Sequence, residues 1–350
     1  MNGAVAVLQA AGASGSVFSC AGEVAAQLRP TEPTYLFSER CLARRAHQFL
    51  QEFPGNVSYA VKANPEPRVI LALAGRGVRD FDVASLGEVS LVASLCPGAR
   101  LHFNNPIKAV EAIATAHERY GVRSFALDEE AELQKIWRAT GGDRDVLYSV
   151  RFRLAHRGAS YDFGSKFGTS PEKAASLLRQ VHDRGARAAL TFHPGSQCTD
   201  PGMYTLYLDA AAQIIALAGV DAEQINVGGG FPEYYENTRA PGLPDFFQAV
   251  AESAERLFER PPQLMCEPGR AMVASAVSLL TRVIHVRDDG RTVFLNDGFY
   301  GGMQEQSLVD LRFPVRVWRE GKLLAGRQET RHVFGPTCDP VDRLSREVSL

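Results

Sequence analysis

Val57-Ser58-Tyr59-Ala60-Val61-Lys62-Ala63-Asn64 reads as a short apolar strand that ends in a lysine and an asparagine. Desolvation disfavours an ammonium ion, so burial at the mouth of a closed site would make the Lys62 amine easy to deprotonate and a competent Schiff-base nucleophile near neutral pH. A strand ending in lysine is more often just a solvated strand tip, and the segment alone favours that reading. The surrounding chain decides between the two.

From about Val57 onward, short β-rich runs alternate with longer stretches of helical periodicity, the pattern of repeated βα units around a parallel sheet. Strands are predicted at 57–63, 80–84, 100–104, 124–128, 146–152, 188–193, 224–228 and 263–267. Amphipathic segments at 109–120, 129–140, 171–184, 204–218 and 245–258 lie between them, and a helix over 39–52 precedes the first strand and could complete an outer ring. Eight strands alternating with helices predict a closed (β/α)8 TIM barrel over 34–275. Beyond Arg270 the texture changes to short strands such as 293–296 and 315–318, with turns at Asp288-Asp289-Gly290 and Glu320-Gly321. Residues 1–33 and 276–350 are therefore assigned to an all-β domain.

Nearly every barrel strand ends in polar residues or glycine. In order they deliver Lys62, Asp82, Asn104 with Asn105, Asp128, Arg151, His193 with Ser196, Gly228-Gly229-Gly230, and Glu267 with Arg270. A barrel of this kind collects such groups on one rim. The triple glycine lets backbone amides approach an anion, and Ser196 and Arg270 add donors for a phosphate. No Gly-Lys-Ser/Thr follows, so this is not a P-loop, and no early GxGxxG supports a dinucleotide fold. A lysine for an imine, a phosphate cup, a histidine to stack on a ring and a carboxylate for a ring nitrogen together describe pyridoxal phosphate chemistry.

Composition agrees with a small-molecule partner. Lys plus Arg total 38 against 40 Asp plus Glu, without a long run of either sign, so no footprint for nucleic acid or membrane emerges. The six cysteines form no CxxC pair, which fits a reduced, cytoplasmic setting, and none of the eight histidines falls in HExxH, which argues against zinc. The first fifteen residues lack the basic start and long apolar run of a signal peptide.

Eight motifs then appear in order: Tyr-Ala-Val-Lys-Ala-Asn (59–64), Phe-Asp-Val-Ala-Ser (81–85), Ser-Lys-Phe-Gly (165–168), His-Pro-Gly-Ser-Gln (193–197), Gly-Gly-Gly-Phe-Pro (228–232), Cys-Glu-Pro-Gly-Arg (266–270), Asn-Asp-Gly-Phe-Tyr-Gly (296–301) and Gly-Pro-Thr-Cys-Asp (335–339). Over roughly 34–344 the chain resembles the fold-type III pyridoxal-phosphate decarboxylases, the ornithine, diaminopimelate and arginine decarboxylase family, and ornithine decarboxylases above all. The resemblance implies an alanine-racemase-like barrel with a β-sandwich domain. It implies that Lys62 holds the cofactor, Asp82 orients that lysine, His193 stacks on the ring and Glu267 meets the ring nitrogen. Ser196, Gly228, Gly229, Gly230 and Arg270 would bind the phosphate, and Arg151 matches an arginine near the cofactor that could also be a plain ion pair. Cys338 would return a proton to the product carbon and Asp339 would meet the distal ammonium of a basic amino acid. In the family these two serve the opposite subunit's site, so a homodimer is implied.

The pattern departs in two places. Where eukaryotic ornithine decarboxylases carry Tyr-Asp-His, this chain reads Gly302 to Asp310, with Glu305 or Asp310 as possible substitutes. The chain also ends at Leu350, ahead of the family's Gly-Ala-Tyr and Phe-Asn-Gly segments, and is expected to be a shortened variant or a fragment. The expected activity is decarboxylation of L-ornithine to putrescine, or of L-lysine to cadaverine, in polyamine biosynthesis. Alternatives are a diaminopimelate, carboxynorspermidine, arginine or other specialised decarboxylase and a non-catalytic regulatory paralogue; an alanine racemase ranks last. Diaminopimelate decarboxylases typically carry Cys-Glu-Ser where this chain has Cys338-Asp339-Pro340.

Overall fold

The computed structural model describes residues 5–8, 17–154, 166–309, 311–325, 329–344 and 348–349. The chain divides into two compact units, one made of Ala43–Glu233 with Ala240–Val273, the other of Met1–Leu42, Tyr234–Arg239 and Ala274–Leu350.

The first unit contains a closed barrel of eight parallel strands: β1 (Asn56–Ala60), β2 (Asp80–Val83), β3 (Arg100–Phe103), β4 (Ser124–Leu127), β5 (Leu147–Arg151), β6 (Arg187–Thr191), β7 (Gln224–Asn226) and β8 (Gln263–Cys266). Pairing of Met265 with Asn56 and of Cys266 with Val57 closes it. The helices are α1 (Glu39–Glu52), which starts in the other unit, α2 (Pro67–Gly75), α3 (Leu86–Leu95), α4 (Val110–Tyr120), α5 (Glu130–Ala139), α6 (Pro171–Asp183), α7 (Gly202–Ala218) and α8 (Leu243–Leu257). Their starts follow local chemistry. At α3, Ser85 accepts from the Glu88 amide while Glu88 accepts from the Ala84 amide, a capping box, and at α6 Ser170 caps a helix that opens with Pro171.

Register sets the face of every strand residue. Ser58 pairs with Asp80 and Asp80 with Arg100; Ala60 pairs with Asp82 and Asp82 with His102; Ala126 pairs with Ser149, Ser149 with Ala189, and Ala189 with Gln224. This face looks into the barrel, because Asn104, just beyond β3, reaches across to Glu267, just beyond β8. The opposite face carries Tyr59, Phe81, Phe103, Phe125, Tyr148, Val150, Leu190, Phe192, Ile225 and Val227, all buried. Against that face, Tyr148 lies beside Trp137 of α5, and Phe192 stacks on Tyr207 of α7 at 4.8 Å. Phe231 sits among Phe49 of α1, Tyr204 of α7, and Phe246 and Phe247 of α8. The apolar core thus lies between strands and helices.

The second unit holds a four-stranded sheet with Val277–Leu280, Thr34–Phe37, Val5–Leu8 and Val17–Phe18 in that order, and another with Val283–Val286, Thr292–Leu295, Thr330–Phe334 and Val348–Ser349. It also carries short helices at Ala21–Gln27 and Gln304–Leu308, beyond the all-β content read from sequence. The strand expected over 315–318 reduces to Trp318–Arg319, paired with Lys322–Leu323. The Glu320-Gly321 turn between them has positive φ at both residues (50° and 78°), as a two-residue type I′ hairpin requires. No helix among the described residues is long and apolar enough to cross a membrane.

Candidate active site

Each barrel strand stops one to three residues short of its expected end. The first strand ends at Ala60, and Lys62 stands in a 3-10 turn, Val61–Ala63, held by a hydrogen bond from the Tyr59 hydroxyl to the Asn64 carbonyl (2.9 Å). Lys62, Asp82, Asn104, Asp128, Arg151, His193, Asn226, Gly228 and Glu267 have the inward parity of their strands, so one rim collects them.

The expectation of an easily deprotonated Lys62 is reversed. Its side chain is 62% exposed, and Nζ lies 3.5 Å from Asp82 Oδ2. Attraction to Asp82 outweighs desolvation, Glu267 adds to it, and the amine is held above its ordinary range. Lys62 is thus an ammonium ion paired with a carboxylate that is itself buried.

Glu267 is a half-buried acid of the rim, held by two asparagines. Its Oε1 accepts from the side-chain amides of Asn226 (2.5 Å) and Asn104, and its backbone amide is fixed to Gly228 O at 2.8 Å. Burial pushes its carboxyl up to about 7, Asp82 adds to the rise, and Lys62 and the two asparagines restrain it. The carboxyl is therefore poised to hold or release a proton near neutral pH.

His193 is pushed well below its usual value by burial, with the positive charges of Arg151 and Lys62 acting in the same direction. Its Nδ1 accepts from the Gly195 amide (3.0 Å), so the neutral ring carries its proton on Nε2. Burial also lowers the Arg151 guanidinium, against the pull of Glu267, Asp128 and Asp82, and it lies over the Phe167 ring at 5.6 Å. Ser165 of the Ser-Lys-Phe-Gly motif lies outside the described residues.

The triple glycine is required by more than a ligand. At Gly228 (φ 70°) a Cβ would meet Phe192 O at 2.1 Å, and at Gly230 (φ 93°) it would meet Gly195 O at 2.3 Å. At Gly229 it would come within 2.7 Å of Glu267 O and 3.2 Å of His193 Nε2. The loop is wedged between the ends of β6 and β8 and tied there: Tyr204 donates to Gly229 O at 2.8 Å, and the Cys198 amide donates to Gly230 O at 2.9 Å. Gln197 and Glu233 exchange side-chain to backbone bonds of 2.8 and 2.9 Å, and Arg45 holds the Glu233 carboxylate from α1. Ser196 is half-buried in the loop after β6, and Arg270, also half-buried, opens the one-turn helix Arg270–Val273.

The structure does not gather every expected residue in this unit. Cys338, Asp339 and Glu305 belong to the other unit, and Asp310 lies outside the described residues. Cys338 is exposed rather than buried and lines an open hollow with Ile284, His285, Phe294 and Pro336. Asp339 accepts from the Tyr300 hydroxyl at 2.5 Å, and that bond together with the Val341 amide holds its carboxyl below the usual range. Glu305 is exposed in the short helix Gln304–Leu308.

Three contributors escaped the sequence reading. Asn104 stood only among polar strand ends, and Asn226 had no role; its inward parity beside the glycines was the available signal. Asp342, 1% exposed, accepts from the amides of Phe299 (2.8 Å) and Thr337 (2.9 Å) and from the Thr337 hydroxyl (2.7 Å), so it ties the Asn296–Gly301 motif to Gly335–Asp339.

The donor set fits pyridoxal phosphate. An amine faces a carboxylate, an acid is anchored by two amides where a ring nitrogen needs a partner, and a histidine adjoins a glycine loop too tight for side chains.

A family model described as "Pyridoxal-dependent decarboxylase, pyridoxal binding domain" matches residues 39–274. The lysine/ornithine decarboxylase of Selenomonas ruminantium is 32% identical over 329 residues, covering 92% of this chain and 78% of the relative. The crystal structure of the Vibrio vulnificus lysine/ornithine decarboxylase complexed with putrescine superimposes with a TM-score of 0.79 at 29% identity, over 95% of this chain and 89% of that one. Antizyme inhibitor 2 of Xenopus laevis is 29% identical, covering 88% of this chain and 71% of its own. Together with a barrel rim built around Lys62 and Glu267, these matches show that the chain belongs to the fold-type III pyridoxal-phosphate-dependent amino-acid decarboxylases.

Proposed function

We propose that this protein decarboxylates L-ornithine or L-lysine, forming putrescine or cadaverine for polyamine biosynthesis in the cytoplasm, and that it works as a homodimer. The observation that carries the reading is the pairing of Lys62 with Asp82 on the same rim as the amide-anchored Glu267. Pyridoxal phosphate, when bound, supplies an electron-accepting ring that stabilises the charge left by loss of CO2.

The chain's own residues do the rest. Lys62 would provide the amine that anchors the cofactor, and Asp82, 3.5 Å from Nζ, orients it and balances its charge. Glu267 would meet the ring nitrogen and favour its protonated form, and neutral His193 would offer a face for stacking without adding positive charge. The loop amides of Gly228, Gly229 and Gly230, with Ser196 and Arg270, would hold the phosphate; Arg151 adds positive charge beside Glu267. Asp339, kept ionised by Tyr300, is a counter-charge for a distal ammonium. The Cys338 thiol, accessible at the surface of its own unit, is the proton donor to the product carbon in the partner's site. Glu305 is the further acid available to meet the substrate, with Asp310 as its alternative.

Absorbance of the purified protein with pyridoxal phosphate, followed by CO2 release with L-ornithine, L-lysine and diaminopimelate in turn, tests the reading. A cofactor band with CO2 from ornithine or lysine is expected. CO2 from diaminopimelate alone would reassign the substrate, and cofactor binding without any CO2 would favour a regulatory paralogue.

A further inference from the structure

Barrels of this architecture usually fill their interior with bulky branched side chains. Here the inward residues below the rim are mostly small or polar: Ser58, Ala60, Asp80, His102, Ser124, Ala126, Ser149, Ala189 and Gln224, with Leu147 and Met265 as apolar exceptions. Five of the inward side chains carry a buried polar atom without a hydrogen-bond partner among the described residues: Ser58 Oγ, His102 Nδ1, Ser124 Oγ, Gln224 Oε1 and Asn104 Oδ1. Each of these residues is at most 8% exposed. Outside the barrel interior such atoms are few among the described residues, His117 Nδ1 being one, so the orphans concentrate inside the barrel.

A buried polar atom left unpaired costs about 1–3 kcal/mol, and five on one inward face would be a heavy load for a native fold. Ordered water is the usual remedy where a polar space has several partners to offer. The column has distinct ends. At the top, Asn104 links its orphan oxygen to Glu267 through its own amide. Lower down, where Asp80 opens β2, His102 Nε2 lies 2.9 Å from Asp80 Oδ1, and Arg100 forks onto the same carboxylate while its side chain remains 62% exposed. Burial raises the Asp80 carboxyl, but the bonds from His102 and Arg100 outweigh it and hold the group ionised.

We propose that the barrel interior beneath Glu267 holds a column of ordered water that carries protons between the Glu267 carboxyl and the Asp80–His102 pair lower in the barrel. A proton leaving Glu267 enters the nearest water, each water passes on one of its own, and His102 Nδ1, whose lone pair is free while Nε2 donates to Asp80, accepts the last. The reverse transfer restores Glu267, and no other reactant is required. The column would let Glu267 exchange its proton from below while ligands occupy the rim above. That consequence rests on the role proposed for Glu267; the water positions do not.

Two measurements test this on the holoprotein. A high-resolution crystal structure is expected to show waters bonded to Ser58 Oγ, Ser124 Oγ and Gln224 Oε1; an interior without them, or one in which those side chains pair with each other, overturns the proposal. In a stopped-flow pH jump, relaxation of the cofactor absorbance is expected to slow several-fold in Ser58→Val/Ser124→Val and in Gln224→Met, which interrupt the column from different strands, with end-point spectra unchanged. Equal rates in a folded variant would show that protons reach Glu267 through the rim and would overturn the conduit. A wild-type protein that binds no cofactor would instead count against the proposed function, and the crystal structure alone would then decide the column.

Discussion

The two faces of the same eight strands obey opposite rules. The outward residues Tyr59, Phe81, Phe103, Phe125, Tyr148 and Ile225 are fully or almost fully buried apolar groups, while inward positions on the same strands carry Ser58, Asp80, Asp82, His102, Ser124, Ser149 and Asn226, also buried. A strand buried on both faces normally reads as a continuous apolar run. Here the alternation means that folding energy comes from the layer between strands and helices, and the interior is left to electrostatics. One side of the strand can then change chemistry without dismantling the other.

The contrast predicts that inward variants at the rim abolish activity and spare the fold, whereas outward variants do the reverse. Lys62→Ala should lower CO2 release by roughly 10²- to 10⁴-fold, the range expected for losing a group that handles protons at the reacting centre, with the thermal midpoint nearly unchanged because the side chain is 62% exposed. Steady-state rates beside a melting curve check both halves. Phe125→Ala, on the outward face and 0% exposed against Phe103, should cost about 3–5 kcal/mol in denaturant unfolding. The substrate preference of the surviving folded fraction should not change.

Glu267→Gln sharpens the contrast through pH. Its carboxyl is raised from 4.5 to about 7 in the folded chain, so the native state binds that proton more tightly than the unfolded state. The group's favourable contribution is complete below pH 4.5 and is lost as pH rises through 7. In the cofactor-free protein, Glu267→Gln should therefore raise stability by roughly 1–3 kcal/mol at pH 8, after allowance for partial exposure, and leave it unchanged near pH 4. A stability gain that did not depend on pH would place the effect in packing instead. Activity of the variant should fall at every pH, because the amide cannot favour a protonated ring.

Much of this organisation was legible in the sequence. Every expected barrel strand overlaps an observed one, because short β-rich runs separated by helical periodicity leave few alternatives, and α1 occupies its expected range. The polar residue at each strand end announced the rim. What periodicity could not convey was distance across the barrel. That Asn104 and Asn226 share one oxygen of Glu267 depends on strands remote in sequence. The state of Lys62 was misjudged for a related reason: desolvation is a local inference, but Asp82 arrives from the next strand and its attraction prevails. The exposure of Cys338 was beyond the sequence for another reason, since Gly335-Pro336-Thr337-Cys338-Asp339 gives no sign of which way its loop faces.

The smallest expected effect is the most discriminating. Ser124 and Phe125 are adjacent, both are buried, and they point to opposite sides of β4. If the interior were dry, Ser124 Oγ would be an unsatisfied hydroxyl and Ser124→Ala would stabilise the protein by about 1–3 kcal/mol, because removing an unpaired buried polar group relieves its desolvation. If water completes the hydroxyl, the same change removes one modest hydrogen bond and should destabilise by at most about 1 kcal/mol. The two cases differ in sign, so urea unfolding of a single-atom deletion separates them without reference to activity. The expected result is a slight loss of stability, because a barrel that lines its interior with serine, histidine and glutamine at several heights would otherwise carry the same penalty at each of them, and its outward apolar layer would have to offset all of it.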